Sequence, residues 1–91
     1  MKKESAQLVI GKIYIVFTVT HFYTGRLVAQ DKDWLGLKTC AWVADTKRLT
    51  ESIAEGTVNE AEVFPPNDLV RVARGAIVSV APWKKLITVQ Q

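Results

Sequence analysis

The chain has 91 residues, of which 48% are hydrophobic and 23% charged, and its formal net charge is +3. This length predicts a single domain over residues 1–91, and no apolar run approaches the roughly 18 residues that a membrane helix needs. Cys40 is the only cysteine, which excludes an intrachain disulfide and favours a reducing, cytoplasmic location. Residues 1–7 are too polar for a signal peptide, and we expect them to be loosely held.

Alternating β-branched and aromatic residues predict the first strands. From Ile13 to Tyr23 the apolar side chains recur with a period close to two, which predicts one strand or two strands joined by a tight turn. The Thr24-Gly25 pair predicts a bend or bulge. Strand character then resumes and ends near Gln30, before a polar turn at 31–33.

A third strand is predicted over residues 34–44, where apolar and polar side chains alternate again. Strict alternation places Leu35, Leu37, Ala41 and Val43 on one face. It places Lys38, Cys40 and Trp42 on the opposite face.

The middle of the chain departs from this pattern. The only helix is predicted over residues 45–56, with Asp45 or Thr46 as its N-cap. Leu49 and Ile53 lie four positions apart, and Gly56 could end the helix. Residues 57–68 are polar and contain a Pro-Pro pair, which excludes a helix or a central strand there. We therefore interpret residues 45–68 as an insertion between the third and fourth strands.

The last part, "LVRVARGAIVSVAPW" (69–83), predicts a strand, a bend at Arg74-Gly75 and another strand, and a short closing strand is expected at 86–89. Glycine inside a strand pattern marks a bulge, a bend or a close approach by another molecule. About five short strands in so small a chain favour a strongly bent barrel, because a flat sheet would leave one face and two edges unprotected.

Two stretches resemble the motifs of the Sm-like family, the ring-forming RNA-binding proteins that include eukaryotic Sm and Lsm proteins and bacterial Hfq. "YTGRLVAQDKDWLGLKTC" (23–40) resembles the first motif, and "VRVARGAIVSV" (70–80) resembles the second, which is built around Arg-Gly. The resemblance implies a mainly β fold, a small five-stranded, strongly bent Sm-like (SH3-like) barrel with one insertion. The small size and the long connection are similar to phage-encoded members.

The resemblance assigns roles only where positions match. Gly25 would form the bend of the second strand, and Leu27 would enter the core. Asp31 would lie in the loop that faces the ring pore, and Arg74 with Gly75 would form the second pore loop.

The chain departs from the family pattern at the position of a base-contacting asparagine. Leu35 stands where that asparagine is expected, and the preceding turn is one residue shorter. Trp34 lies beside this position, and a tryptophan can stack on a base without an amide.

The function implied by the resemblance is a non-enzymatic homo-oligomeric ring of about five to seven copies. It would bind single-stranded RNA through Asp31, Trp34, Arg74 and Gly75, with no cofactor and no metal. The lightly charged strands near the end of the chain give an independent reason for assembly, because edge pairing protects them. Alternatively, Arg74 would pair with an acidic residue of a neighbouring subunit.

A second interpretation is a structural or protein-interaction ring, for example in a phage particle, in which residues 45–68 dock a protein partner. The missing asparagine and the modest net charge favour it. An enzyme would require His21 and Cys40, or Asp31 and Asp33, to act as pairs. Ordinary strand and turn residues explain these four positions more simply.

Overall fold

The computed structural model describes residues 8–89, so the expectation for residues 1–7 falls outside it. The elements in chain order are β1 (Ile13–Thr18), β2 (Phe22–Gln30), β3 (Trp34–Asp45), α1 (Leu49–Glu55), β4 (Glu60–Val63), β5 (Val70–Ala73), a 3₁₀ helix (Arg74–Ala76) and β6 (Ile77–Pro82). The prediction of a mainly β chain is confirmed. Within the described range, no helix combines the length and the apolar character needed to cross a membrane.

The six strands form one antiparallel sheet in the order β4-β3-β2-β1-β6, and β5 pairs with the first part of β3. In the part of the chain that the structure describes, no ladder joins β5 to β6, so the sheet is open rather than a closed barrel. The prediction of five strands is wrong by one, because β4 forms within the insertion. It is an edge strand that ends at Val63, before Pro65, where a proline interferes little with pairing.

The bend of β2 depends on a close approach at Gly25. The β2–β3 register shifts between Thr24 and Arg26, which confirms the predicted bulge. A Cβ atom at Gly25 would lie 3.0 Å from the Leu37 Cβ and 3.3 Å from the Lys38 carbonyl oxygen. Glycine is therefore needed here because the backbone of β3 crosses directly over it.

Thr39 reverses the alternation of β3. Its φ angle of 49° lies in the left-handed region, which a β-branched residue seldom adopts. Leu37 and Cys40 consequently enter the same core cluster, whereas strict alternation had predicted opposite faces. The Thr39 N–H donates to the Pro66 carbonyl at 3.0 Å, which ties this turn to the end of the insertion.

Apolar side chains pack on both faces of the sheet. The cluster inside the bend consists of Tyr14, Val16, Leu27, Leu35, Leu37, Cys40 and Val72. The cluster on the other face consists of Ile15, Ala41, Val43, Val58, Ala61, Trp83 and Ile87. The second cluster is completed by the insertion and by the residues after β6. The predicted closing strand at 86–89 is wrong, since this segment is not a strand and contributes Ile87 to the core.

Helix α1 begins later than predicted. Its N-cap position is Arg48, which makes no side-chain capping bond, so the predicted caps Asp45 and Thr46 are wrong. The backbone N–H of Lys47 instead donates to the Ser52 hydroxyl at 3.1 Å. The helix ends at Gly56, whose φ of 73° is the left-handed conformation that glycine adopts without steric cost.

Candidate nucleic-acid interface

The turn between β2 and β3 and the 3₁₀ helix between β5 and β6 lie side by side. The β3–β5 ladder places Trp34 opposite Ala73. Just beyond it, the Arg74 N–H donates to the Asp33 carbonyl at 2.9 Å. The two loops that the resemblance assigns to one site are therefore adjacent, although they are about forty residues apart in sequence.

The side chain of Arg74 joins these loops through hydrogen bonds. Its Nε donates to the Asp31 carbonyl oxygen, and its Nη2 donates to Gln30 Oε1 at 2.9 Å. These partners belong to the same chain, and neither is a carboxylate. Because a guanidinium has five N–H donors, Arg74 keeps donors for a ligand while its position is fixed.

The side chain of Asp31 shapes the turn. Its Oδ1 accepts the backbone N–H of Asp33 at 2.7 Å and that of Trp34 at 3.0 Å. An aspartate that accepts backbone donors two and three residues ahead stabilises a tight turn. Asp31 thus fixes the direction in which the chain enters Trp34.

Trp34 is half-buried against the sheet and carries an arginine on its ring. The Arg71 guanidinium carbon lies 4.8 Å from the Trp34 ring centroid, a cation–π distance. Gly36 makes room for the indole, because a Cβ there would lie 3.0 Å from the Trp34 Cζ3 atom. The ring and the guanidinium therefore lie together next to the loop pair.

Arg71 was not identified from the sequence. The alternation of "VRVA" places its side chain on the face opposite Val70 and Val72, but its position over Trp34 depends on the register that pairs it with Gly36. No local pattern encodes that register, so only the strand alignment reveals the residue.

Gly75 is exposed, and a Cβ atom there would meet nothing within 4 Å. Its φ is not in the left-handed region, so the 3₁₀ turn does not require glycine. The bend predicted at Arg74-Gly75 is present, but glycine is not its cause. Its effect is to leave the surface beside Arg74 free of a side chain.

The charges around the two loops nearly cancel. Asp31, Lys32 and Asp33 lie in the first turn, and Arg71 and Arg74 lie on the second side. Both carboxylates are exposed, so the attraction of this surface for phosphate is modest. Contact with bases is the stronger chemistry that this surface offers.

His21 and Cys40 differ in burial and in hydrogen bonding. His21 Nδ1 lies 2.8 Å from the Thr20 hydroxyl, and its ring contacts those of Tyr23 and Trp42. Cys40 is fully buried, and desolvation raises the pKa of its thiol to about 12. A thiol kept neutral in this way lacks the character of an activated nucleophile.

The insertion directs its apolar residues towards its own sheet. Val58 and Ala61 are almost fully buried in the second cluster. Among the described residues of α1, the exposed large apolar side chain is Leu49. A docking surface on α1 would therefore be centred on Leu49.

Comparison with known proteins gives no match to any family model, curated sequence or solved structure.

Proposed function

We propose that the protein assembles edge to edge into a homo-oligomeric ring and binds single-stranded RNA on the Trp34–Arg71 surface. The observation that carries the proposal is the Trp34–Arg71 cation–π pair beside two loops that are joined by hydrogen bonds. Aromatic rings and guanidinium planes are the surfaces on which proteins stack unpaired bases.

Each residue of the surface has a separate task. A base stacks on Arg71, whose other face is supported by Trp34. Arg74 positions the loops and offers its remaining donors to a phosphate, while Asp31 holds the turn. Gly75 lets the sugar-phosphate backbone approach, because it has no side chain.

Strands β5 and β6 each have one edge without a partner in the described part of the chain. In an antiparallel ladder, successive residues direct their N–H and C=O groups alternately toward and away from the partner strand. The Arg74 N–H donates to Asp33, so the N–H and C=O groups of Arg71 and Ala73 point away from β3. By the same argument from the Trp83 N–H bond to Ile13, those of Val80 point away from β1, whereas the register shift between Phe17 and Thr18 interrupts the alternation at Val78. Pairing one edge with the other on a second copy closes a ring and removes both free edges.

An apolar groove of about 440 Å³ adjoins the edge of β6. It is lined by Phe17, Phe22, Leu49 and Val78, with the polar residues Thr18, Thr46 and Ser79. Val78 is 67% exposed, and Leu69, just before β5, is 39% exposed. We assign the groove to a second copy, because a β5 strand paired with β6 would cover Val78 and bring Leu69 close to the groove.

Fluorescence anisotropy with U-rich and A-rich oligonucleotides tests RNA binding. Since stacking contributes about 1–3 kcal/mol per base, Arg71→Ala is expected to weaken binding about tenfold. Gly75→Val is expected to weaken binding without destabilising the fold, and Arg48→Gln, an exposed arginine on the insertion, is the matched control. Unchanged affinity in both site variants would refute the assignment.

The salt dependence provides a second readout. Each phosphate contact on a single strand contributes about −0.7 to the slope of log K against log salt. Because the loop charges nearly cancel, we expect a slope corresponding to about two contacts. A slope of about −4 or steeper would show that phosphate contacts, rather than stacking, dominate.

Light scattering after size exclusion tests assembly, with Ala73→Pro as the decisive variant. The φ of Ala73 is −66°, a value that proline adopts, and the N–H that would be lost is one that points away from β3. We expect this variant to be folded and monomeric while the wild type is a ring. A monomeric wild type, or a ring that persists in Ala73→Pro, would overturn the proposed interface.

A further inference from the structure

We propose that a second groove, between the segment before β1 and the residues after β6, is a phosphate-binding site. It has a volume of about 570 Å³ and is lined by Val9, Gly11, Lys12, Ile13, Tyr14, Arg26, Pro82 and Trp83. This volume falls within the range of small-molecule sites. The site does not depend on the proposed RNA function, because none of these residues belongs to the Trp34–Arg71 surface.

Positive charge at this groove is uncompensated. Arg26 of β2 lies directly opposite Lys38 of β3, and like charges in such cross-strand positions repel. Lys12 also lines the groove, whereas Lys38 is not among its lining residues. Within residues 8–89, no carboxylate forms an ion pair with any of the three. An anion bound here relieves this repulsion.

The groove is organised before any ligand arrives. Arg26 Nη1 donates to the Gly11 carbonyl at 2.7 Å. The backbone of this segment is held in turn, because the Gly11 N–H donates to the Leu27 carbonyl and the Leu27 N–H donates to the Lys12 carbonyl. Arg26 is therefore fixed beside the groove with donors to spare.

Trp83 carries a buried donor without a partner. It lines the groove and is 5% exposed, and its Nε1 has no hydrogen-bond partner. An unpaired buried donor costs about 1–3 kcal/mol. Ile13 lies opposite Arg26 and receives the Trp83 backbone N–H, so the three residues are cross-strand neighbours on one face. We place the phosphate against the Arg26 guanidinium, and a shift of the atoms that cover Trp83 Nε1 would let it accept from the indole as well.

The tryptophan indole N–H signals in a ¹⁵N-labelled sample report on the two surfaces separately. Trp83→Phe assigns the Trp83 signal, and Trp34→Phe assigns that of the RNA surface. Titration with inorganic phosphate and then with 5′-UMP is expected to shift the Trp83 signal saturably. Arg26→Gln is expected to raise the dissociation constant about tenfold, the loss of one charge-assisted hydrogen bond, with Arg48→Gln as the control.

Titrations of the same sample with oligonucleotides identify the source of the phosphate. A shift with 5′-UMP but not with a 5′-phosphorylated oligonucleotide assigns the site to a free phosphate-bearing ligand. A shift with the 5′-phosphorylated but not the 5′-hydroxyl oligonucleotide assigns it to an RNA end. If RNA binding at Trp34 is absent while the Trp83 signal still responds to phosphate, the proposed function fails and this site stands. No saturable Trp83 shift with any probe, or equal affinity in Arg26→Gln, overturns the site.

Discussion

Two glycines that the resemblance singles out are expected to respond oppositely to substitution. Gly25 lies under the backbone of β3, where an added Cβ would be 3.0 Å from the Leu37 Cβ and 3.4 Å from the Cys40 Cα. Neither atom belongs to the far end of a flexible side chain, so the strands must separate. At Gly75 the same atom would enter open space.

The magnitude follows from these contacts. Overpacking of a well-packed core costs about 1–3 kcal/mol, and we expect Gly25→Ala to lower the free energy of unfolding by about 2 kcal/mol. For a domain of this size, that corresponds to a fall in Tm of about 8–16 °C. Gly75→Ala is expected to remain within about 0.5 kcal/mol of the wild type, as exposed substitutions usually do.

Urea denaturation followed by tryptophan fluorescence measures both variants. Equal m-values would show that the comparison concerns stability rather than a change in the unfolded state. A Gly25→Ala variant as stable as the wild type would refute the close approach of β3. A strongly destabilised Gly75→Ala variant would refute the conclusion that the 3₁₀ turn tolerates a side chain.

Three further predictions concern the core and the packing of the Trp34 ring. Thr24 is fully buried and its hydroxyl has no partner, so Thr24→Val is expected to raise the free energy of unfolding by about 1 kcal/mol; a loss of stability would show that the hydroxyl is satisfied in solution. Burial raises the pKa of Cys40 from 9.0 to about 12, so the thiol ionises at lower pH in the unfolded chain than in the folded one. The free energy of unfolding therefore falls as pH rises between these two values, by at most about 1.4 kcal/mol per pH unit. Cys40→Ala should show a shallower decline in urea titrations above pH 9.0, and parallel curves would contradict the burial argument. Gly36→Ala places a Cβ 3.0 Å from the Trp34 ring, so the near-ultraviolet circular dichroism should change and RNA affinity should fall, whereas an unchanged spectrum would mean that the ring does not lie against Gly36.

Local patterns predicted the first half of the fold well. The period-two runs gave β3 nearly to its ends and the strand character of β1 and β2, and the glycine after residue 55 gave the end of α1, because these signals depend on neighbours in sequence. The turn at residues 19–21 that separates β1 from β2 was not located. The reversal of side-chain alternation at Thr39 was not predictable, because a threonine seldom adopts the left-handed conformation and no sequence pattern marks it. It is fixed instead by the bond to Pro66. Strand β4 was missed because a polar edge strand is stabilised by its partner rather than by its own composition.

The candidate site was predicted in part. The resemblance named the residues of both loops, and the structure places those loops together. The resemblance did not indicate that Arg74 binds Gln30 and the Asp31 carbonyl, because these contacts form between segments that are distant in sequence. Arg71 and the second groove depend on strand register, which sequence alternation alone leaves open.

The pairing of β1 with β6 joins the beginning of the chain to its end. During synthesis, β1, β2 and β3 leave the ribosome with apolar residues on both faces, and two side chains that complete the second cluster, Trp83 and Ile87, are made after its other buried members. The emerging meander can therefore bury its apolar surface fully only after residues 83–87 have been made. Folding is expected to be all-or-none, and a chain that terminates after β5 should be captured by chaperones or degraded rather than persist as a stable fragment.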